Sequence, residues 1–491
     1  MKGKDYRLQH PLAIVYAFSR YIILLLLPLL RSVTLFTSDF YTWLEGVWLD
    51  VLVLLAIIIF GTLRWNCVRF RVDADWVDIR SGIFIARRRR IRYSDISSVI
   101  IEHIWYLRPV KAVRVRVETD AGNNGAPDIQ LLLRREDALR IQHRLSAHLR
   151  QEQVMVRRYE PSGWYVGILS LITSDSLTGV LFLSTFISQS GKILGEEAED
   201  RLITQLTRLM QLLAFWLPPI AAIIACTILG GWLIDFIVNL VRHLGFRATR
   251  RGGELYVRCG IVTVREYTLS AERVNFLQLR QSFTTRLIGY YAGLINCTGY
   301  GKGKNEQSVL LPTVGEDDLR RSLTLILPEL RPVGNDWRPP LKTLWRIVWP
   351  PLLACLIAGF TWRTALRWLP SLRDLVLFLG IMVMIPAVWW LMVRTLSFFH
   401  TGIGVRKNTG GQPDTFTFRC TSGYRVFTVV CRADKIAKVR VTQNIFQRHN
   451  KCGDVRVWLR SERKRSFLIP NLSIKDIERF LKALEDSDKS L

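Results

Sequence analysis

The sequence predicts a membrane protein in which α-helical hairpins alternate with α+β domains. Three observations predict this fold class: long apolar runs come in pairs, basic segments with alternating apolar residues follow each pair, and each basic segment ends in a helical pattern. The chain has 491 residues, of which 49% are hydrophobic and 22% charged, and its formal net charge is +27. This length allows several domains.

Six apolar runs predict six membrane helices, because a span needs about 20 mostly apolar residues. The runs form three pairs: Tyr21–Leu30 with Val47–Leu63, Trp164–Ile187 with Leu212–Leu240, and Ile347–Trp362 with Leu375–Val393. The first run extends upstream to Pro11 and is interrupted by Arg20, whose side chain can snorkel, so we expect an interfacial start and a tilted span. The fifth run is short and is broken by Pro350 and Pro351. We expect helix pairs over residues 11–65, 161–242 and 340–397.

The three basic segments cover residues 66–150, 246–331 and 399–485. Apolar residues alternate in Val113–Thr119 and in Val455–Leu459, and a period of two is typical of half-buried strands. Helical spacing follows at the end of each segment, in these groups: Ala138, Ile141, Leu145 and Leu149; Leu319, Leu323, Ile326 and Leu330; Ile474, Ile477, Leu481 and Leu484. The sequence therefore predicts three α+β domains, each with a C-terminal helix.

The basic segments are copies of one another. "RSGIFIARRRRIRYSDI" (Arg80–Ile96) and "RCGIVTVREYTLSAERV" (Arg258–Val274) both open Arg-x-Gly-Ile and reach an aliphatic residue fourteen positions after the glycine. Ile96, Val274 and Ile436 are each followed after seven residues by a polar residue, namely His103, Gln281 and Gln443, respectively. An arginine follows five residues later in each segment, at 108, 286 and 448. "VLLPTVGEDDLRRSL" and "FLIPNLSIKDIERFL" match in the second and third segments. A repeat of about 150–180 residues is too long for a solenoid.

A family resemblance rests on these motifs. The glycine turn, then "LSAERVNFLQLRQSFTTRLIGYYAGLINCTG" (Leu269–Gly299), further strands and a terminal helix resemble the bacterial pleckstrin-homology (PH) domain. Helix pairs alternating with three such domains are similar to the YdbT-like membrane proteins over nearly the whole chain. The resemblance implies three PH-like domains, each a small seven-stranded bent sheet of β-sandwich or barrel type that is capped by one helix and anchored at the membrane. The third copy departs most, since "RCTSGYRVF" replaces the Arg-x-Gly-Ile phrase.

The charge distribution predicts an orientation. All three basic segments follow an even-numbered helix, so they lie on one side of the membrane together with both termini. Basic residues gather on the cytoplasmic side, which favours a multi-pass protein of the bacterial cytoplasmic (inner) membrane with cytoplasmic domains. Loops 31–46 and 188–211 agree with this orientation, whereas the third loop disagrees, with arginines at 363, 367 and 373 against Asp374. Eight cysteines without a CxxC pair fit a reducing compartment.

Motifs for catalysis or cofactor binding are missing from the sequence. The seven histidines show no metal-ligand spacing, and no GxSxG, HExxH or Walker phrase occurs. "GYGKGKNE" (Gly299–Glu306) resembles a phosphate loop but lacks the Ser or Thr after its lysine, which favours a hairpin turn. We therefore expect no enzyme activity, no cofactor and no metal.

The strongest charge feature is an arginine run at Arg87, Arg88, Arg89, Arg90 and Arg92. One interpretation is contact with anionic phospholipid head groups, to which each basic residue contributes about 1 kcal/mol. The other is a solvated strand edge, where charge prevents edge-to-edge pairing. Nucleic acid is less favoured, because no aromatic residues for base stacking are interleaved with the charge.

Two carboxylates fall within the apolar runs, where an ionisable residue usually faces the bundle interior or a water-filled cavity. Asp175 lies near the middle of the third helix and either lines a polar cavity or makes a hydrogen-bonded helix contact with Ser174 and Thr178. Asp235 lies nearer the cytoplasmic end, where we expect it to pair with an arginine.

Two function classes remain open beside the enzyme class that the motif search disfavours. In the first, the PH-like domains mediate oligomerisation, or bind a partner or anionic lipid, in envelope maintenance or stress resistance. In the alternative, the chain is a lipid-handling or export-accessory protein with a polar cavity near Asp175. The resemblance implies a shorter PH-domain membrane protein as partner, or a homo-oligomer.

Overall fold

A computed structural model of the chain describes residues 6–14, 16, 40–119, 129–149, 156–173, 204–205, 208, 219–282, 285–286, 288–297, 308–368, 370, 373–407, 413–423, 425–461 and 465–489. The chain divides into two compact units. The first contains residues 1–157, 249–273 and 298–302, and the second contains 158–248, 274–297 and 303–491.

The described residues of the first unit form two sheets. Its strands are β1 (Arg7–Leu8), β2 (Arg69–Val72), β3 (Trp76–Ser81), β4 (Arg87–Arg92), β5 (Ile96–Ile104), β6 (Ala112–Thr119) and β7 (Ile129–Arg134). Later in the chain, β8 (Val156–Tyr159) and β9 (Arg247–Arg251) fall at unit boundaries, and β10 (Glu254–Cys259) and β11 (Thr263–Ser270) return to the first unit. One sheet has the order β1-β2-β3-β4, and the other contains β7-β6-β5-β11-β10.

Two helices accompany these sheets, α1 (Phe40–Cys67) and α2 (Arg135–Leu149). The buried face of α2 presents Ala138, Ile141 and Leu145 to a core that also contains Phe70 and Tyr93. These three helix residues are spaced three and four apart, which places them on one side of the helix. The spacing read from the sequence thus describes this helix correctly.

The second unit begins with helices α3 (Gly163–Thr173) and α4 (Pro219–His243). Its strands are β12 (Val274–Ser282), β13 (Tyr290–Cys297), β14 (Val309–Gly315), β15 (Gly402–Arg406), β16 (Thr415–Ser422), β17 (Arg425–Arg432), β18 (Ile436–Thr442), β19 (Cys452–Leu459) and β20 (Arg465–Ser473). Its other helices are α5 (Glu316–Ile326), α6 (Leu344–Trp368), α7 (Arg373–His400), α8 (Ile445–His449) and α9 (Ile474–Lys489). Six strands form a sheet of order β14-β13-β12-β17-β16-β15, and three form β18-β19-β20.

The repeated phrase has a structural explanation. Gly82, Gly260 and Gly423 lie in the tight turns β3–β4, β10–β11 and β16–β17, with φ of 120°, 94° and 60°. A positive φ favours glycine because it has no Cβ atom. A short 3-10 helix follows the second strand of each hairpin, at Tyr93–Asp95, Ala271–Arg273 and Ala433–Lys435. The phrase therefore encodes a hairpin and the turn that leads out of it.

The terminal helix of the second copy is shorter than its spacing predicts. Helix α5 ends at Ile326, and Leu330 lies instead in a 3-10 turn, Pro328–Leu330. Proline has no backbone N–H and its ring clashes with the preceding turn of a helix. Leu330 is nevertheless buried, so it contributes to the core without being helical.

Burial at the repeat positions corrects one expectation. The repeat predicts that Ile96, Val274 and Ile436, which follow the 3-10 turns, are all buried. Ile96 and Val274 are buried, with 1% and 2% of their surface exposed. Ile436 is only half-buried, although it packs against the core of its unit. Its strand β18 is the last in its sheet, whereas β5 and β12 each have a neighbour on both sides.

Two described helices are long and apolar enough to cross a membrane, spanning Leu341–Trp368 and Leu379–His400. Helix α6 runs without interruption through Pro350 and Pro351, so the prolines that break the apolar run do not break the helix. Prolines are tolerated in membrane helices, where other groups satisfy the freed carbonyls. Small residues bring α6 and α7 together: Gly359 lies against Met384 and Gly380 against Trp362. The first apolar run, Tyr21–Leu30, lies outside the described residues.

Candidate functional site

The arginine run forms strand β4, the last strand of its sheet. The five side chains Arg87, Arg88, Arg89, Arg90 and Arg92 are all exposed. Successive side chains of a strand point to opposite faces, so Arg88, Arg90 and Arg92 share one face. Ile91 points the other way and packs against the hydrophobic core.

A buried carboxylate fixes part of this run. Asp78, on β3, accepts hydrogen bonds from Arg88 Nε at 2.9 Å, from Arg90 Nε at 3.2 Å and from the Tyr6 hydroxyl at 2.8 Å. The hydrogen bond from Arg88 is the main cause that lowers the Asp78 pKa from 3.8 to about 2. The Arg90 guanidinium also lies 4.7 Å from the centre of the Trp76 ring. The run is therefore both an exposed cationic edge and part of a structural ion-pair network.

The turn before β4 carries two exposed apolar residues that the sequence analysis missed. Phe84 is 91% exposed and Ile85 is 69% exposed. Large apolar side chains exposed beside several cations are typical of segments that insert into the head-group region of a bilayer. The signal in the sequence is the apolar group Ile83, Phe84 and Ile85 between the turn glycine and the arginines.

Strand pairing joins successive copies of the repeat in both units. In the first unit β5 pairs antiparallel with β11, with Ser98 opposite Leu269. In the second unit β12 pairs antiparallel with β17, with Phe276 opposite Cys431. Ser98 and Phe276 each lie two residues after the start of their strand, and Leu269 and Cys431 each lie two residues before a 3-10 turn. Both junctions therefore have the same register.

Ion pairs reinforce the junction in the first unit. Glu102 on β5 is buried, and Arg114 and Arg116 on β6 and Arg265 on β11 surround it. Its distance to Arg114 is 3.0 Å and to Arg265 3.5 Å. His103 Nε2 lies 3.7 Å from Glu266, and although burial acts in the opposite direction, the proximity of His103 and the charge of Arg258 lower the pKa of Glu266. Opposite charges facing one another across strands stabilise a pairing.

The corresponding edge of the third repeat is open in the described part of the chain. Strand β18 pairs with β19 on one side, and no described strand lies on its other side. Lys438 and Arg440 on β18 are exposed, and both lie over the Trp458 ring, at 5.5 and 5.7 Å from its centre. This edge is a cationic strand with free hydrogen-bonding capacity, which is a template for another strand.

The two carboxylates that fall within the apolar runs, Asp175 and Asp235, differ in what the structure describes. Asp175 lies outside the described residues. Asp235, on α4, accepts a hydrogen bond from Asn239 Nδ2 at 3.1 Å, and Asn239 Oδ1 in turn accepts one from Arg242 at 3.3 Å. Arg242 therefore does not pair directly with Asp235. Asn239 lies between them, and the three side chains form a row of hydrogen bonds along one face of α4. Within the described ranges, no three His, Cys, Asp or Glu residues come together as a metal site.

A family model and a curated relative match parts of the chain. A family model described as "Bacterial PH domain" matches residues 17–149 and 204–329. "UPF0699 transmembrane protein YdbT" of Bacillus subtilis (strain 168) is 20% identical over 315 residues, which are 60% of this chain and 63% of that protein. The alignment thus spans less than two thirds of the relative. No solved structure matches the chain.

Proposed function

The chain belongs to the bacterial PH domain family, and from that premise we propose that it is a non-enzymatic membrane protein that binds another PH-domain protein through an open sheet edge. The similarity to a transmembrane relative and the two apolar helices among the described residues support a location in the membrane. We further propose three helix pairs, three PH-like domains and a multi-pass topology with the domains in the cytoplasm.

The observation that supports partner binding most is the shared register of the two strand junctions. In each junction, the strand that follows one 3-10 turn (β5 or β12) pairs with the strand that precedes the next 3-10 turn (β11 or β17). Strand β18 holds the first of these positions and has no described neighbour there. An edge of this kind binds an added strand by main-chain hydrogen bonds, while its side chains give specificity.

The charge on β18 identifies the chemistry of the partner strand. In the junction register, Lys438 and Arg440 would face residues two and four positions before the partner's turn. For a second copy of this chain these residues are Ile91 and Arg89, so Arg440 would face Arg89. Like charges directly opposite destabilise a strand pair. A different PH-domain protein with acidic residues on its edge strand fits better.

A charge reversal on β18 tests this proposal in the full-length protein. Lys438→Glu with Arg440→Glu should release a PH-domain partner from complexes purified in mild detergent. Lys475→Glu with Lys482→Glu changes the charge equally on exposed positions of α9 and should retain the partner. A photo-crosslinker at Val441 should attach to an acidic strand of that partner. Retention of the partner by the β18 variant, or a crosslink to β4 of a second copy, would refute the proposal.

A second candidate function is contact with anionic lipid through β4. The exposed pair Phe84 and Ile85 beside the arginine run favours this function. Apolar insertion and electrostatic attraction together give stronger membrane binding than either alone. The two functions use different strands, so one chain can perform both.

A further inference from the structure

A cavity of about 740 Å³ lies within the second unit, at the end of a membrane helix. Its walls come from β12 and β13, helix α5, the segment 331–338, the last residues of α7, and strands β16 and β17. His400, the last residue of α7, lines it and lies 3.3 Å from the Phe427 carbonyl oxygen through Nε2. The cavity therefore lies where a candidate membrane span meets the β-sheet.

The walls of this cavity are strongly cationic. Five arginines line it: Arg286, Arg320, Arg331, Arg338 and Arg419. Glu316 is the one acidic residue among the described lining residues, and it pairs with Arg320 at 3.1 Å. The other four arginines therefore outnumber the carboxylates among the described lining residues.

The arginine side chains have spare hydrogen-bonding capacity. Arg419 donates to neutral acceptors, the Asn335 side-chain oxygen at 2.6 Å and the Val333 carbonyl at 2.8 Å. Arg286 Nη1 and Arg331 Nε are buried and have no hydrogen-bond partner in the described part of the chain. A buried donor without a partner is costly, and a cationic one especially so. These atoms are satisfied if an anion occupies the cavity.

The electrostatics point the same way. Burial lowers the pKa of Arg286, and burial followed by the charges of Arg338 and Arg286 lowers the pKa of Arg419. Burial thus destabilises both charged guanidinium groups, and neighbouring arginines destabilise that of Arg419 further. Bound anions commonly stabilise such arginine clusters, because a planar guanidinium matches phosphate oxygens in a bidentate way.

We propose that the Arg286–Arg331–Arg338–Arg419 cavity binds a phosphate-bearing anion. Two sources share this chemistry: the head group of an anionic phospholipid, which the end of α7 brings within reach, and a free phosphate compound from solution. The cavity size is in the range of small-molecule sites. Arg286 occupies a repeat position, but its counterpart Arg108 donates to the backbone carbonyls of Ile261 and Val262 instead.

The test uses the full-length protein in nonionic detergent. Inorganic phosphate should raise the thermal unfolding midpoint more than chloride of equal ionic strength if the source is soluble. Phosphatidylglycerol should be retained in native mass spectra, and diacylglycerol, which lacks the phosphate, should not, if the source is lipid. A response to neither phosphate nor phosphatidylglycerol overturns the proposal.

Variants separate binding from a structural role. Arg286→Gln should weaken binding of the responding probe by about tenfold or more, the scale of one charged hydrogen bond. Without anion it should unfold at the wild-type temperature or higher, because a repulsive charge is removed. Arg479→Gln, an exposed site on α9 that pairs with Asp476, is the matched control and should bind normally. If Arg286→Gln binds as wild type, or destabilises the anion-free protein, the site is not an anion site.

Discussion

Ile96 and Ile436 occupy the same repeat position with different burial, which allows a controlled comparison. Ile96→Ala should destabilise its unit by about 2–5 kcal/mol, because it removes a fully buried aliphatic side chain. Ile436→Ala should cost clearly less, since its side chain is only half-buried, on an edge strand. Limited proteolysis over a urea series measures both losses. Equal losses would contradict the burial difference.

Asp78 gives a pH-dependent prediction at the same scale. Its folded pKa, about 2, lies below the ordinary value of 3.8, mainly because Arg88 donates to it. A depressed carboxylate pKa stabilises the folded state above the ordinary value, and this contribution disappears as the pH falls through the folded pKa. Asp78→Asn should therefore unfold at lower urea than wild type at pH 7. The difference should shrink as the pH falls from about 4 to 2, and a constant difference would exclude this ion pair as its source.

Contact of strand β4 with anionic lipid can be tested by hydrogen exchange. In nanodiscs with anionic lipid, backbone amides of the turn 82–86 and β4 should exchange hydrogen more slowly than in neutral nanodiscs. Added salt should remove the protection, because exposed charges are screened within about 8 Å at physiological ionic strength. Mass spectrometry of the peptides measures the exchange.

Variants identify the charges responsible for that protection. Arg87→Gln with Arg92→Gln should abolish it while leaving the contacts of Arg88 and Arg90 with Asp78 intact. Arg134→Gln with Arg135→Gln, at exposed positions of the same unit, should have no effect. Identical exchange in anionic and neutral nanodiscs would leave edge protection as the role of the run.

The elements also explain which features the sequence could reveal. Alternation in Val113–Thr119 and the glycine at Gly260 depend on neighbouring residues alone, so they predicted strands and turns correctly. The pairing of β5 with β11 joins residues from different repeats, and alternation does not identify the strand that lies alongside. The arginine cavity escaped detection for the same reason, because Arg286 and Arg419 come from separate repeats. The ion pair of Asp78 with Arg88 lies within one hairpin. It could be predicted, because the two opposite charges lie on either side of one turn.

At the scale of the whole molecule, the net charge of +27 has more than one role. Some arginines surround buried carboxylates such as Glu102, some line the cavity around Arg286, and others form exposed edges at β4 and β18. A total charge therefore does not locate a ligand surface. It does bear on orientation, because cytoplasmic segments of membrane proteins collect basic residues.

Orientation gives the final prediction. Reporter fusions after Arg150, Leu330 and Leu491 should all report cytoplasm, because each follows an even number of proposed spans. A fusion after Trp368, at the end of α6, should report the opposite side. That position lies beside the arginines at 363, 367 and 373, the one loop whose charge opposes the topology. If the charge of this loop decided the orientation, the fusion after Trp368 would report cytoplasm. The fusion after Leu491 would then report the other side. Alkaline phosphatase activity and green fluorescent protein fluorescence, measured on the same four fusions, report opposite sides and so distinguish the two arrangements.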